Sequence, residues 1–165
     1  MSLKRIGKHL VVRRARVRKA FPPKSLAAIE QAIKASEATH AGQIRFVVEA
    51  ALDGAPLFRD QSARERAIDV FAQLRVWDTE HNNGVLIYLL LADRDVEIVV
   101  DRGIDRHVGT AGWEAICQMM ETHFRAGRFE QGVIAGIAAV TSHLQRHFPG
   151  DDTNANELPD APVVL

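Results

Sequence analysis

The feature that most constrains this chain is a pair of apolar runs, residues 85–91 and 96–100, separated by the polar break Ala92-Asp93-Arg94-Asp95. Both runs are rich in β-branched or large apolar residues and are bounded by turn formers, which predicts the two strands of a hairpin. The first run is apolar without alternation, the pattern of a strand covered on both faces. It is entered through Asn82-Asn83-Gly84, and its partner is left through Asp101-Arg102-Gly103-Ile104-Asp105. In an antiparallel pair these two polar segments lie at the same end of the sheet, so that end is where chemistry is expected.

Helices to cover such a sheet are legible on either side of it. Ser25 caps a helix with Leu26, Ile29 and Ile33 in one stripe, running to about Thr39, with Gly42 in the turn that stops it. Residues 43–50 alternate Ile44, Phe46 and Val48 against Gln43, Arg45 and Glu49, with Val47 breaking the pattern, and predict the first strand. A loop over 51–61 leads to the capping-box sequence Ser62-Ala63-Arg64-Glu65. The helix it opens is expected to bury Ile68, Phe71 and Leu74 and to end near Trp77. Thr110 caps a further helix with Trp113, Ile116, Cys117, Met120 and Phe124 on one face; Gly127 breaks it. A last helix over about 129–147 is expected to bury Val133, Ile134, Ile137, Val140 and Leu144. A helical crossover makes the first two strands parallel, and the hairpin adds an antiparallel third. The expected class is α/β: a three-layer α/β/α sandwich with a small mixed sheet, a β-hairpin and helices on both faces.

Charge divides the chain into three parts. Lysines and arginines equal aspartates and glutamates at 21 each, so the whole chain has no nucleic-acid-type basic bias. Yet Lys4, Arg5, Lys8, Arg13, Arg14, Arg16, Arg18, Lys19 and Lys24 all precede the first acid, Glu30. The expected organisation is a basic N-terminal arm over 1–23, a domain over 24–148, and a disordered tail over 149–165 that carries Asp151, Asp152, Glu157 and Asp160 and no base. The arm places Leu3, Ile6, Leu10, Val17 and Phe21 at roughly helical spacing. Two readings stand: an interfacial helix drawn to anionic lipid, or a solvated arm that packs a few apolar residues on the domain. The single cysteine, Cys117, excludes an internal disulfide. No apolar run approaches the ~20 residues of a transmembrane helix, and Arg13 and Arg14 break the N-terminal apolar stretch, making a poor secretion signal. The expected location is the cytoplasm, with peripheral contact at the inner membrane through residues 1–21.

The topology gathers Glu37, His40, Asn82, Asn83, Asp101 and Asp105 at one edge. Carboxylates with side-chain amides suit a hard, oxygen-liganded cation, calcium before magnesium. The metal set expected on this ground is Glu37, Asn82, Asn83, Asp101 and Asp105. Asn-Asn-Gly has a competing role in turn formation and close backbone approach. The opposite end gathers Glu49, Asp53, Asp93 and Asp95, where Asp93-Arg94-Asp95 also reads as a hairpin turn whose charges protect a sheet edge. His143 and His147 have a zinc-like spacing but no third ligand or Glu base, and read as a solvated helix face. Cys117 reads as a core cysteine, Trp77 and Trp113 as core or rim packing.

The order Asn82-Asn83-Gly84-Val85-Leu86, Asp93-Arg94, a strand, Gly103-Ile104-Asp105, then Phe124-Arg125-Ala126-Gly127-Arg128-Phe129 with Gly132 resembles the TPM domain family, over about Ala27 to Leu144. Glu37, Gly42 and Ile44 fit that family's helix-to-strand pattern. The family includes a thylakoid-lumen protein with reported acid phosphatase activity, photosystem II repair proteins and an acetylcholine-receptor modulator. Its bacterial members include secreted, membrane-tethered proteins and a short soluble branch, which this chain resembles most. Where many members show Gly-Tyr-Gly-Leu-Glu, this chain has Asp101-Arg102-Gly103-Ile104-Asp105, and Val76-Trp77-Asp78-Thr79 replaces the usual Trp-Gly-x-Gly.

The resemblance implies an α/β/α sandwich, calcium binding in some members, and phosphatase activity in a few. The leading expectation is a divalent-cation-binding accessory or interaction factor for a protein partner, acting at the membrane surface. The alternative is a metal-assisted acid phosphatase, in which the cation lowers the pKa of a bound water and Arg102 or Arg106 steadies the phosphoryl oxygens.

Overall fold

The computed structural model describes residues 3–11, 14–150 and 155–165. Two short helices, α1 (Leu3–Val11) and α2 (Arg14–Ala20), lead into α3 (Pro23–Glu37). Then follow β1 (Gln43–Glu49), α4 (Gly54–Phe58), α5 (Ala63–Gln73), β2 (Gly84–Leu90), β3 (Asp95–Val100), α6 (Arg102–Arg125), α7 (Phe129–His147) and β4 (Val163–Val164). The sheet runs β3-β2-β1-β4. β1 is parallel to β2 with Gln43 opposite Gly84, and β2 is antiparallel to β3 with Val85 opposite Val100.

The alternation of each strand sorts its side chains into two cores. Ile44, Phe46 and Val48 of β1 join Val85, Ile87 and Leu89 of β2 in a core covered by α3, α6 and α7. Val47 joins Leu86, Tyr88 and Leu90 in a second core, covered by α5 and by Leu57 of α4. This explains both the unbroken apolar run of β2 and the extra valine of β1: every residue of both strands is buried. The three-layer α/β/α sandwich is the observed fold.

Several elements differ from expectation for local reasons. α3 starts at Pro23 rather than after Ser25, because a proline in the first turn gives up an amide that has no helical partner there. The Ser62–Glu65 capping box forms, but α5 buries Ala63, Ala67 and Val70 and leaves Ile68 exposed. Small residues let the helix lie close on the sheet, and the larger apolar residues fall on its flank. Trp77 is half exposed rather than packed. α6 begins at Asp101 as N-cap, and a break at Gly109 (φ 73°) marks the start expected at Thr110.

The C-terminal end carries the main correction, while the arm packs apolar residues on the domain, as the second of its two readings expects. Val17 and Phe21 are buried in the first core and Ile6 packs on the second, so these apolar residues of the arm face the domain. The side chains of Leu3 and Leu10 lie outside the described residues. His9 is buried: the Leu52 N–H donates to Nδ1 at 2.9 Å, which leaves Nε2–H to donate to Asp93 at 3.1 Å. Arg5 donates to Asp93 at 3.0 Å and to Asp60 at 2.8 Å. The tail over 155–165 is not disordered. Gln43 Oε1 accepts from the amides of Glu157 and Leu158 at 2.9 Å, Arg45 donates to the Pro159 carbonyl, Leu158 is buried, and β4 pairs in parallel with Val47 and Val48. The tail's sequence is polar because it lies on the surface, and its strand is too short to show periodicity. Residues 151–154 lie outside the described residues.

Candidate functional site

The polar end of the sheet is built by the entry to β2 and the exit of β3. The Asp101 amide donates to the Gly84 carbonyl at 2.9 Å, which closes the ladder, and Asp101 Oδ1 accepts from the Arg102 amide at 2.7 Å to start α6. Asn82 adopts a left-handed turn (φ 52°), a conformation that Asn tolerates. Its carbonyl would lie 2.2 Å from a Cβ placed on Gly103, and the Val76 carbonyl 2.0 Å from one on Gly84. Both glycines therefore exist so that backbone can pass backbone.

Within this frame the five predicted ligands separate. Asp101 Oδ2 is buried and accepts no hydrogen bond. Asn83 is fully buried; its Nδ2 donates to the Ala41 carbonyl at 3.0 Å, while Oδ1 is also without a partner. Asn82 is exposed, and it is its backbone carbonyl that packs against Gly103. Asp105 is turned away and accepts from Trp113 Nε1 at 3.2 Å. Glu37 lies on the far side of β1, where Oε1 accepts from the Ile44 amide at 2.6 Å. Its Oε2 has no donor facing it. Burial pushes the Glu37 carboxyl up to about 8, with the neighbouring carboxyl of Asp160 adding to the rise and the Ile44 amide opposing it.

Glu37, Asp101 and Asp105, expected in one ligand set, thus each bond to a different partner. Among the described residues no group of three or more His, Cys, Asp or Glu is arranged to hold a metal ion. What the end of the sheet does offer is oxygen: the free Asp101 Oδ2, the free Asn83 Oδ1 and the backbone carbonyls of His81 and Asn82 beside Gly103. Asn83 and Asp101 stand one step out of register across the ladder, so they lean to opposite faces of the sheet. Asp101 is the stronger donor because it carries charge. His40, expected at the same edge, is a buried core histidine: Nε2 meets Ser36 Oγ at 2.7 Å, and burial lowers its pKa to about 4.

The opposite end of the sheet also disperses its acids. Glu49 takes a two-pronged bond from Arg66, 2.9 Å on each oxygen, and the Tyr88 hydroxyl donates to it at 2.5 Å. Asp93 is held by Arg5 and His9. On α7, His147 stacks on His107 with ring centres 4.5 Å apart, and His143 meets the edge of Trp113 at 5.6 Å.

Comparison with known proteins decides the family. The TPM domain matches residues 17–143, which spans all three layers of the sandwich. The chain belongs to the TPM domain family. A TPM-fold protein of solved structure, BA42 from the psychrophilic bacterium Bizionia argentinensis, is similar at 30% identity with a TM-score of 0.74, over 86% of this chain and 93% of that one. The N-terminal domain of a protein from P. gingivalis shares the fold at 22% identity and a TM-score of 0.62, over 78% of this chain and 81% of that one. No curated protein matches. The TPM signature residues now have physical roles in this chain. Gly84 and Gly103 permit backbone contact, and Gly132 leaves room for the Phe124 ring, 2.7 Å from where a Cβ would stand. Glu37, the last residue of α3, ties that helix to β1 by accepting from the Ile44 amide.

Proposed function

We propose that this TPM domain is a binding module whose polar sheet end takes a divalent cation, calcium ahead of magnesium, and that it serves as an accessory factor for a protein partner. The observation that carries the reading is the buried Asp101 Oδ2, a carboxylate oxygen with no donor. An unpaired buried acceptor costs about 1–3 kcal/mol, more when charged. A hard cation that prefers oxygen relieves that cost, and the carbonyls of His81 and Asn82, which lie beside Gly103 two residues on from Asp101, supply neutral oxygens at the same end of the sheet. One charge among neutral donors suits calcium, which accepts irregular shells, over magnesium, which demands a regular one. Such a set supports weak affinity, on the order of 0.1–1 mM. The test is titration of chelator-treated protein with each ion by calorimetry, alongside thermal unfolding. A calcium-specific heat and rise in melting temperature support the reading, since a ligand of the folded state alone must stabilise it. Absence of both removes it.

The hydrolytic alternative has less to rest on. Cys117, the chain's one thiol, lies beside β3 rather than at this end, and burial pushes it up to about 12, so it stays protonated. Arg106 donates weakly to the Arg102 carbonyl at 3.4 Å instead of facing the Asp101 carboxylate.

A second observation bears on where the module works. Lys8, Arg16, Lys19 and Arg94 line one cleft of about 690 Å³ between the arm and the hairpin turn. Among the described residues no helix is long and apolar enough to cross a membrane. We infer peripheral contact with an anionic membrane, such as the inner face of the cytoplasmic membrane, made through these charges, since Val17 and Phe21 are committed to the core.

A further inference from the structure

The two edges of the sheet are treated differently. The chain closes the β1 edge with its own β4. On the other side, β3 is the last strand, and a cleft of about 560 Å³ runs between it and α6. Because the Asp101 amide faces Gly84, antiparallel alternation turns the backbone groups of Val96, Ile98 and Val100 away from β2 and towards this cleft. The Ile98 carbonyl confirms the direction, since it accepts from Arg64 at 2.6 Å. Among the described residues, Val96 and Val100 make no backbone bond on that side.

The cleft is strongly acidic. Asp95 and Glu97 on β3 and Asp105, Glu114 and Glu121 on α6 line it, against the single base Arg64. Arg64 is itself divided between Glu97, at 3.3 Å, and the Ile98 carbonyl, and Arg125 reaches Glu121 only at 3.7 Å. The acids are spread along the cleft and form no metal-holding cluster, so they suit a row of cations rather than one ion. Burial and the neighbouring acids Glu97, Glu121 and Asp93 raise Asp95 to about 6, which Arg5 opposes. Trp113 forms one wall and is buried, with its indole N–H held by Asp105.

We propose that the open edge of β3 receives an extended basic peptide segment of a partner protein as an added strand. The occupant follows from charge complementarity and from what already stands there. At the middle of the edge a guanidinium donates at once to a strand carbonyl and to a carboxylate, which is the contact a basic strand would make. Arg64 is half exposed and on a surface helix, so it can give up that position. The acids also keep two copies of this edge from pairing with each other, since like charges would meet. An acidic or neutral strand gains the backbone bonds but not the charge pairing. This surface is separate from the cation site, and its test does not depend on that reading.

The probe is acetyl-Lys-Val-Lys-Val-Lys-amide, titrated into the isotopically labelled full chain and followed by amide resonances. Binding is expected below about 1 mM, with the largest shifts at 96–100 and along 113–121. It should weaken with added salt. Two variants of the experiment decide the mode. Methylating the peptide's backbone nitrogens, which leaves the protein untouched, should abolish binding if a strand is added. The double variant Glu114→Gln with Glu121→Gln should weaken it by about ten-fold. No binding of the Lys-Val peptide at about 1 mM, shifts centred on another surface, equal binding of the methylated peptide, or equal binding of a Glu-Val peptide would each overturn the proposal.

Discussion

Glu37 and Asp160 meet carboxyl to carboxyl where the C-terminal tail crosses the end of α3, with the Arg45 guanidinium beside them on β1. Glu37 Oε2 has no donor of its own, so burial and the neighbouring Asp160 carboxyl both favour the protonated form of Glu37. Burial is the larger cause and Asp160 the smaller in lifting Glu37 from its usual 4.5 to about 8. Besides its bonds to Gln43 and Arg45 and its pairing with β1, the tail thus sets a carboxyl beside a buried carboxyl whose pKa is raised.

The pH dependence follows from the direction of that shift. A carboxyl whose folded pKa exceeds its unfolded one stabilises the fold fully below about 4.5, loses that contribution between about 4.5 and 8, and retains none above. Glu37→Gln keeps an acceptor for the Ile44 amide and supplies a donor towards Asp160. The variant should gain on the native protein by on the order of a few kcal/mol as pH rises across that window. Thermal unfolding at about pH 5 and pH 9 measures this; a difference between the two proteins that does not change with pH would refute it.

Asp101 and Asp105 should part company in their effect on calcium. Asp101→Asn removes the charge from the unpaired oxygen and should abolish any calcium-induced rise in melting temperature. Asp105→Asn should leave that rise intact, because Asp105 is turned to Trp113. Equal loss in both variants would show that the carboxylates act together after all.

Removal of residues 155–165 should destabilise the fold and promote association. It strips Leu158 from the second core, worth about 1.5–3 kcal/mol, and uncovers the β1 edge, which then can pair with another chain. Sedimentation and unfolding of the shortened protein check both parts; a monomer with an unchanged melting temperature would mean the tail contributes nothing.

Arg66 and Tyr88 should differ in cost although both serve Glu49. Tyr88→Phe removes one hydrogen bond and should cost about 1 kcal/mol. Arg66→Ala leaves a largely buried carboxylate without its cation and should cost about 3 kcal/mol or more. Denaturant unfolding reads both, and a larger loss in the tyrosine variant would reverse the ranking.

For the arm, co-sedimentation with vesicles rich in anionic lipid should fall steeply in Arg16→Glu with Lys19→Glu, two exposed cations of the basic cleft. It should also fall with salt, as charge-driven contact requires. Binding that survives both would point to apolar insertion instead.

Much of the sandwich is legible in the sequence. The period-two alternation of residues 43–49, the unbroken run of β2 and the stripe of α7 each report a local backbone geometry through their own side chains. The Ser62–Glu65 box formed as its spacing required, because its two bonds span only three residues. On α5, Phe71 and Leu74 pack on the second core as their spacing predicts, while Ile68 is exposed because close packing on a sheet favours Ala63 and Ala67 beneath the helix.

The candidate site was legible only as a set of residue types at one end of the sheet. Which polar atom is spoken for depends on the partners that folding brings up: the Trp113 indole for Asp105 Oδ1, the Ile44 amide for Glu37 Oε1, the Ala41 carbonyl for Asn83 Nδ2. Periodicity and chain connectivity were enough for β1, β2 and β3, for the four long helices and for the crossing that makes β1 and β2 parallel, but not for α4, which lies in the stretch read as a loop. Only the tertiary structure decided that the tail becomes a strand, that the arm buries Val17 and Phe21, and that Asp101 keeps a free oxygen. Such outcomes turn on which long-range group arrives to satisfy a donor, an acceptor or an apolar surface, and no local pattern encodes that arrival.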